Sequence, residues 1–155
     1  SVASGAKITP PTAEVYFVTL DMHASDKTLV YAILLDARVF TDLSALSTFK
    51  PAKLQMTCQK STAQTEGFRS FDVTLKNTGT AGQDPVVFSV VLEAMASGTQ
   101  DLLAPVSFSD NYICIAPQDE HLLTVQIAEA DLQGGSDPDI YAAAWNSPKA
   151  RIWPK

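Results

Sequence analysis

Several features that would point to particular functions are scarce or missing in this sequence. Lys and Arg number 11 against 17 Asp and Glu, and the basic residues do not cluster with aromatic ones. We therefore expect no nucleic-acid partner, because a phosphate backbone requires a concentrated positive surface. No apolar run approaches the roughly 18 residues that cross a bilayer, so we expect no membrane partner either.

Residues that bind metals or carry out catalysis are also rare. The two histidines, His23 and His121, lie in or beside predicted turns without a second ligand at a metal-binding spacing. The predicted turns contain several Asp and Glu residues, but not the spacing of a calcium loop. A nucleophile elbow, a phosphate-binding loop and a glycine-rich dinucleotide turn are missing. The sequence predicts no catalytic residue, no metal and no cofactor.

Cysteine occurs twice, at Cys58 and Cys114. Their separation resembles that of the inter-sheet disulfide of antibody domains, and Tyr112 stands two positions before the second cysteine, as a tyrosine does in those domains. A disulfide requires Cα atoms within about 7 Å, which spacing alone does not establish. We favour two buried free thiols over a disulfide, since a free cysteine behaves as a small hydrophobic residue in a core.

The hydrophobic pattern is typical of an all-β protein. Hydrophobic residues make up 46% of the chain, apolar and polar residues alternate in short runs, and turn residues separate the runs. Pro105 predicts an edge position because proline cannot donate to a sheet ladder. The pattern indicates an immunoglobulin-like antiparallel β-sandwich. The runs predicted as strands are 15–20, 28–35, 54–59, 71–76, 86–93, 123–127, 140–145 and 150–153.

The chain is expected to divide into three parts. Residues 1–38 contain two strongly apolar strands that form a hairpin, and residues 52–155 form the sandwich. Residues 39–51 are interpreted as a linker, with one helical turn near 43–46 capped by Thr41 or Asp42.

Four stretches of this sequence resemble the last immunoglobulin-like domain of family 2 glycoside hydrolases of the exo-β-D-glucosaminidase and β-mannosidase type. The most specific resemblance is Ser109-Asp110-Asn111-Tyr112 followed by a proline turn. The sequence departs from the family at Ala144, where glycine is usual, and at Gln118, where a proline-glycine turn is usual. The resembling stretches are DLSALSTFKPAKLQM, DVTLKNTG with VVFSVVLEA, PVSFSDNYICIAP with LLTVQI, and Ala144-Trp145-Asn146.

The resemblance implies a non-catalytic C-terminal portion or subunit of a hydrolase that acts on β-linked glucosaminide or mannoside. Its catalytic barrel, which needs at least about 200 residues, would lie in other chains or domains. No catalytic residue of the family maps onto this chain. The loop of Ser109, Asp110, Asn111 and Tyr112 would line the entrance to the sugar site.

The opening hairpin also has a counterpart in the family. It resembles the final two strands of the preceding sandwich, and a lone hairpin is marginally stable in water. We therefore expect strands of the same hydrolase outside this chain to complete that sandwich. An extracellular, vacuolar, lysosomal or periplasmic location is expected rather than a cytoplasmic one.

Two alternatives come from other functional classes. One is a free-standing sandwich for carbohydrate binding or adhesion, which exposed and coplanar Trp or Tyr side chains would favour. The other is a coat, filament or secreted interaction module that shares only the fold, because a fold does not determine a function.

Overall fold

The computed structural model describes residues 17–24, 27–35, 48–63 and 65–154, and their regular elements are β-strands with a few short 3-10 turns. The chain divides into two compact units, Ser1–Phe49 and Lys50–Lys155.

The first unit contains an antiparallel pair of strands, β1 (Phe17–Ala24) and β2 (Lys27–Leu35). The predicted hairpin is thus confirmed. Its strands run closer to the turn than the sequence indicated, and His23 lies in β1 opposite Thr28. The predicted linker residues 39–47, including the helical turn near 43–46 and its caps, lie outside the described residues.

The second unit is a sandwich of two four-stranded antiparallel sheets. The first sheet has the order β3-β4-β8-β6 and the second has the order β10-β9-β5-β7. This architecture confirms the predicted immunoglobulin-like fold. The strands of the first sheet are β3 (Leu54–Lys60), β4 (Phe68–Asn77), β6 (Val106–Phe108) and β8 (Glu120–Ala128), and those of the second are β5 (Val87–Met95), β7 (Ile113–Ile115), β9 (Asp139–Ala144) and β10 (Ser147–Trp153).

The core lies between the two sheets and follows from the alternation in the sequence. Successive side chains of a strand point to opposite faces, so every second residue of β4 and β8 is directed inward. The ring of Phe71 on β4 lies 5.6 Å from that of Trp153 on β10, which joins the two sheets. Each large apolar side chain buried in this way contributes about 1.5–3 kcal/mol. Fully buried members of the core are Phe71, Val73, Leu75, Val87, Val125, Ile127, Ile115 and Ile140.

Several details of the strands agree with the sequence analysis and others differ. Pro105 immediately precedes β6, which is an edge strand as predicted. The alanine run lies in β9, and Ala142 is buried in the core. His121 is the second residue of β8 and lies beside the predicted turn. The 3-10 turns at Glu129–Asp131 and Gln133–Gly135 were not predicted.

Candidate functional site

The candidate loop, residues 109–112, connects the edge strand β6 of one sheet to the edge strand β7 of the other. Its first residue continues the pairing with β8. The backbone N–H of Ser109 donates to the Thr124 carbonyl at 2.9 Å, and the Ser109 hydroxyl accepts from the Thr124 N–H at 2.9 Å. The start of the loop is therefore attached to the first sheet.

The side chain of Asn111 attaches the other end of the loop to the second sheet. Its Oδ1 accepts from the Leu92 N–H at 2.8 Å, and its Nδ2 donates to the Leu92 carbonyl at 3.2 Å. On β5, the backbone pairing with β7 extends only from Val87 to Val90. Beyond Val90, the bonds from the Asn111 side chain to Leu92 take the place of backbone pairing between the two strands. The loop thus bridges both sheets.

Tyr112 follows in a conformation that few non-glycine residues adopt. Its φ is 57°, and a left-handed backbone costs a residue with a Cβ atom roughly 1–2 kcal/mol. Its N–H donates to Oδ1 of Asn111 at 3.0 Å, so the same side chain that holds β5 also holds this turn. The tyrosine side chain is 70% exposed. The tyrosine before the second cysteine of antibody domains bonds back to its own backbone, whereas this one points to the outside.

Two buried asparagines, Asn77 and Asn146, fix the loops on either side of β5, and neither role was predicted from the sequence. Asn77, at the end of β4, is completely buried. Its Nδ2 donates to the Pro85 and Ile115 carbonyls, both at 3.0 Å, and its Oδ1 accepts from the Gly79 N–H at 2.9 Å. The sequence contained one signal for this role of Asn77, namely an asparagine directly after an apolar strand in the run KNTG.

Asn146 performs the same task in the turn between β9 and β10. Its Oδ1 accepts from the Phe88 N–H at 3.0 Å, and its Nδ2 donates to the Val86 carbonyl at 2.9 Å. The preceding residue, Trp145, donates its backbone N–H to the Phe88 carbonyl at 2.9 Å. The turn is therefore held against the start of β5, while the Trp145 side chain is 64% exposed.

A polar cleft of about 490 Å³ lies elsewhere, at the start of β4, and its charges are paired with one another. Asp137 accepts from Lys60 Nζ and Arg69 Nη1, each at 2.9 Å, and Arg69 Nη1 also donates to the Gly135 carbonyl. Partial burial raises the pKa of Asp137, but the two cations outweigh it and lower that pKa below its ordinary value. The cleft is lined by Lys60, Arg69, Ser70, Glu129, Gly135 and Asp137.

The two cysteines do not form a disulfide. Cys58 is buried on β3, whereas Cys114 is half-buried on β7 in the other sheet. Burial raises the pKa of Cys114, and the Ser89 N–H, which donates to its sulfur at 3.4 Å, only partly opposes this. A thiol in this state is a poor nucleophile, because the thiolate is the reactive form.

Within the ranges that the structure describes, no three His, Cys, Asp or Glu side chains are grouped so that they could hold a metal ion. In the same ranges, no helix has the length and apolar character needed to cross a membrane.

A family model described as the exo-β-D-glucosaminidase Ig-fold domain matches residues 33–147, which include the whole candidate loop. The chain belongs to this family. An exo-β-D-glucosaminidase of Streptomyces avermitilis is 32% identical to it over 113 residues, which make up 73% of this chain and 12% of that protein. The resemblance stated from the sequence is therefore confirmed.

Solved structures agree on the fold. The crystal structure of the Amycolatopsis orientalis exo-chitosanase CsxA matches with a TM-score of 0.72 and 23% identity, over 94% of this chain and 19% of that chain. A complex of a variant of CsxA with PNP-β-D-glucosamine gives the same TM-score at 22% identity and the same coverage. The chain thus spans less than a fifth of the length of these proteins.

One departure from this exo-β-D-glucosaminidase domain family now has a structural reason. Gln118, where the resemblance leads us to expect a proline-glycine turn, adopts a φ of 77°. Glycine reaches this region without a steric penalty, which is consistent with that expectation. Gln118 uses its side-chain amide instead, donating from Nε2 to the Gly79 carbonyl.

Proposed function

We propose that this chain is the non-catalytic C-terminal β-sandwich portion or subunit of a family 2 glycoside hydrolase that acts on β-linked glucosaminide or mannoside, where it supports the catalytic barrel. The supporting observation is the match of residues 33–147 to the Ig-fold domain family, together with the small share of its relatives that the chain spans. Most of such a polypeptide, including room for a barrel of at least about 200 residues, lies outside this sequence.

Within this proposal, the loop of Ser109, Asp110, Asn111 and Tyr112 lines the entrance to the sugar site. Its attachment to Thr124 in one sheet and Leu92 in the other supports this role, because a binding surface needs side chains held in one geometry. An exposed tyrosine ring also offers an apolar face on which a sugar ring can stack.

The opening hairpin, in residues 1–38, belongs in this proposal to a preceding sandwich that strands of the same hydrolase complete. Its two antiparallel strands support this role, because a pair of strands needs further strands or a packed face for independent stability.

The test is to purify the assembly in which this chain occurs, determine its native mass, and assay it with nitrophenyl β-D-glucosaminide. We expect a barrel-sized polypeptide to accompany the sandwich and the assembly to hydrolyse the substrate. We expect the 16.6 kDa chain alone to be inactive. A protein that is active as the lone chain, or that purifies as a 16.6 kDa monomer, would contradict the proposal.

A second candidate function is a free-standing carbohydrate-binding module, which the exposure of Tyr112 and Trp145 favours. In that case, glucosamine oligosaccharides would bind to the monomeric chain and change its tryptophan fluorescence. Calorimetric titration of the chain with these oligosaccharides distinguishes the two functions, since the supporting role predicts no measurable heat from the chain alone.

A further inference from the structure

The acidic and basic residues of this chain are segregated along the sequence. From residue 77 to residue 148 the sequence contains ten Asp and Glu residues but no Lys or Arg. The candidate loop lies within this stretch, as do all the strands from β5 to β9. The acidic residues are Asp84, Glu93, Asp101, Asp110, Asp119, Glu120, Glu129, Asp131, Asp137 and Asp139. A positive partner for these carboxylates must therefore come from another part of the chain or from another molecule.

Six of these carboxylates have a partner within the chain. The cations belong to β4, to β10 and to the two ends of β3. The ion pairs are Lys53–Asp84, Lys60–Asp137, Arg69–Asp137, Arg69–Glu129, Lys76–Glu120, Lys149–Glu93 and Arg151–Asp139. Among the described residues, the other four carboxylates form no ion pair, and Asp110 is the one of these four that lies on the candidate loop.

The loop orients the carboxylate of Asp110 without satisfying it. Asp110 is exposed, and its Oδ1 accepts from the backbone N–H of Asn111 at 2.8 Å. Asn111 is bonded in turn to Leu92, so the carboxylate stands on a segment that is attached to the second sheet. Within the part of the chain that the structure describes, Oδ2 has no hydrogen-bond partner. This oxygen can therefore accept from a ligand.

The strands around the loop bring no positive side chain to this carboxylate. The loop joins β6 to β7, and these two strands pair with β8 and β5 respectively. None of the four strands contains a Lys or Arg. The surroundings of Asp110 are thus poor in positive charge, and a local excess of negative charge favours the approach of a cationic ligand.

A single carboxylate on a loop suits an organic ammonium group better than a metal ion. Calcium takes about six to eight oxygen ligands, whereas an ammonium group forms a charge-assisted hydrogen bond with one carboxylate. Tyr112, two positions after Asp110, has a side chain that is 70% exposed. The face of such a ring attracts cations and also packs against apolar groups. An amino sugar offers both an ammonium group and an apolar ring face.

We propose that Asp110 is a specificity-determining residue of the hydrolase, and that its carboxylate binds the ammonium group of a glucosamine unit on the leaving-group side of the cleaved bond. The inference rests on the proposed function, in which the loop lines the entrance to the sugar site. The relatives are named as exo-acting enzymes. An enzyme of that kind encloses the terminal sugar and leaves the next units at the entrance. A glucosaminide oligomer carries ammonium groups there and a mannoside does not, so the inference selects the glucosaminide.

The test compares two substrates of the purified assembly, the tetramer of glucosamine and nitrophenyl β-D-glucosaminide. Only the tetramer has ammonium groups beyond the cleaved bond. Asp110→Asn keeps the oxygen that accepts from Asn111 but removes the charge. We expect the KM for the tetramer, relative to that for the nitrophenyl substrate, to rise about three- to tenfold. This size lies between that of a fully exposed ion pair and that of a buried charged hydrogen bond.

Two further variants and a change of salt separate charge from structure. Asp119→Asn is the matched control, because Asp119 is also exposed and forms no ion pair among the described residues, but lies in the turn before β8. It should leave the KM ratio unchanged. Asp110→Glu keeps the charge and should retain most of the preference for the tetramer. High salt should bring the KM ratio of the unaltered assembly towards that of Asp110→Asn, because ions screen an exposed ion pair.

The possible failures are distinguishable from one another. Equal KM ratios for Asp110→Asn and Asp119→Asn would overturn the inference. An equal rise of both KM values in Asp110→Asn would do the same, because it would indicate a general change in the loop. Hydrolysis of nitrophenyl β-D-mannoside but not of the glucosaminide would overturn the inference and leave the proposed function standing. An assembly that hydrolyses neither glycoside would refute the proposed function and the inference with it.

Discussion

Replacement of Asn77 by alanine tests how far a single buried amide holds the sandwich together. The side chain is fully buried and joins three segments, because it bonds to Gly79, Pro85 and Ile115. Alanine keeps the strand but removes the donor and acceptor groups. One N–H and two carbonyl groups then lose their partners in a place that water reaches poorly.

The expected loss follows from these contacts. A buried polar group without its partner costs about 1–3 kcal/mol, and the bonds to Gly79 and Ile115 are both buried. We therefore expect Asn77→Ala to lower the free energy of unfolding by about 2–5 kcal/mol, a large part of the stability of a single domain.

Urea unfolding followed by tryptophan fluorescence measures this loss. The two tryptophans, Trp145 and Trp153, both lie in the sandwich unit, so the signal does not report on the hairpin. The urea midpoint should fall by about 1–3 M, given the usual dependence of stability on urea. Gln59→Ala, which removes an exposed amide from β3, is the control and should change stability by less than about 0.5 kcal/mol.

The result that would refute the reasoning is a midpoint for Asn77→Ala equal to that of Gln59→Ala. Such a result would mean that water or a rearranged loop satisfies the three groups after the amide is removed. The loop between β4 and β5 would then not depend on the Asn77 amide.

The remaining predictions concern a glycine, an ion pair and a thiol. Gly79→Ala should destabilise the chain by about 1–3 kcal/mol, because the new Cβ would lie 2.7 Å from Asp84 Cβ. In the control Gly82→Ala, the new Cβ meets no atom within 4 Å, and the only cost comes from the φ of 75°. The urea midpoints of the two variants measure the difference. The pKa of Asp137 is lowered in the folded state, so its ion pairs stabilise the fold at pH values above the ordinary aspartate pKa. This stabilisation is lost as the pH falls through the lowered pKa of the folded state. The difference in urea midpoint between the unaltered chain and Asp137→Asn should therefore shrink between pH 7 and pH 3. Cys114 should react with iodoacetamide at pH 7.5 more slowly than a free thiol, because burial raises its pKa, and equal rates would contradict its placement.

Much of the fold was predictable because it depends on local alternation. In β4, Phe71, Val73 and Leu75 alternate with polar residues, and the structure buries all three. A strand with one face in the core leaves this signature in any sequence context, since its side-chain period is two. The alternation in β8 has the same origin. The edge position of β6 was predictable for another local reason, because Pro105 has no N–H to donate to a sheet ladder.

The family of the domain was also recognisable, because short stretches in a fixed order carried it. The candidate loop was identified from these stretches, but its construction was not. Nothing in the order of Ser109, Asn111 and Tyr112 states that the first is bonded to Thr124, that the second is bonded to Leu92, or that the third adopts a positive φ.

The sequence by itself determined most of the strands, though not the short β6 and β7, as well as most of the turns and the family that the chain resembles. These properties arise from neighbours in the chain, through side-chain alternation and turn chemistry. Only the tertiary structure decided the order of the strands and the roles of Asn77 and Asn146. Those properties depend on which distant segments meet, because the bonds of a buried amide are set by the residues that surround it.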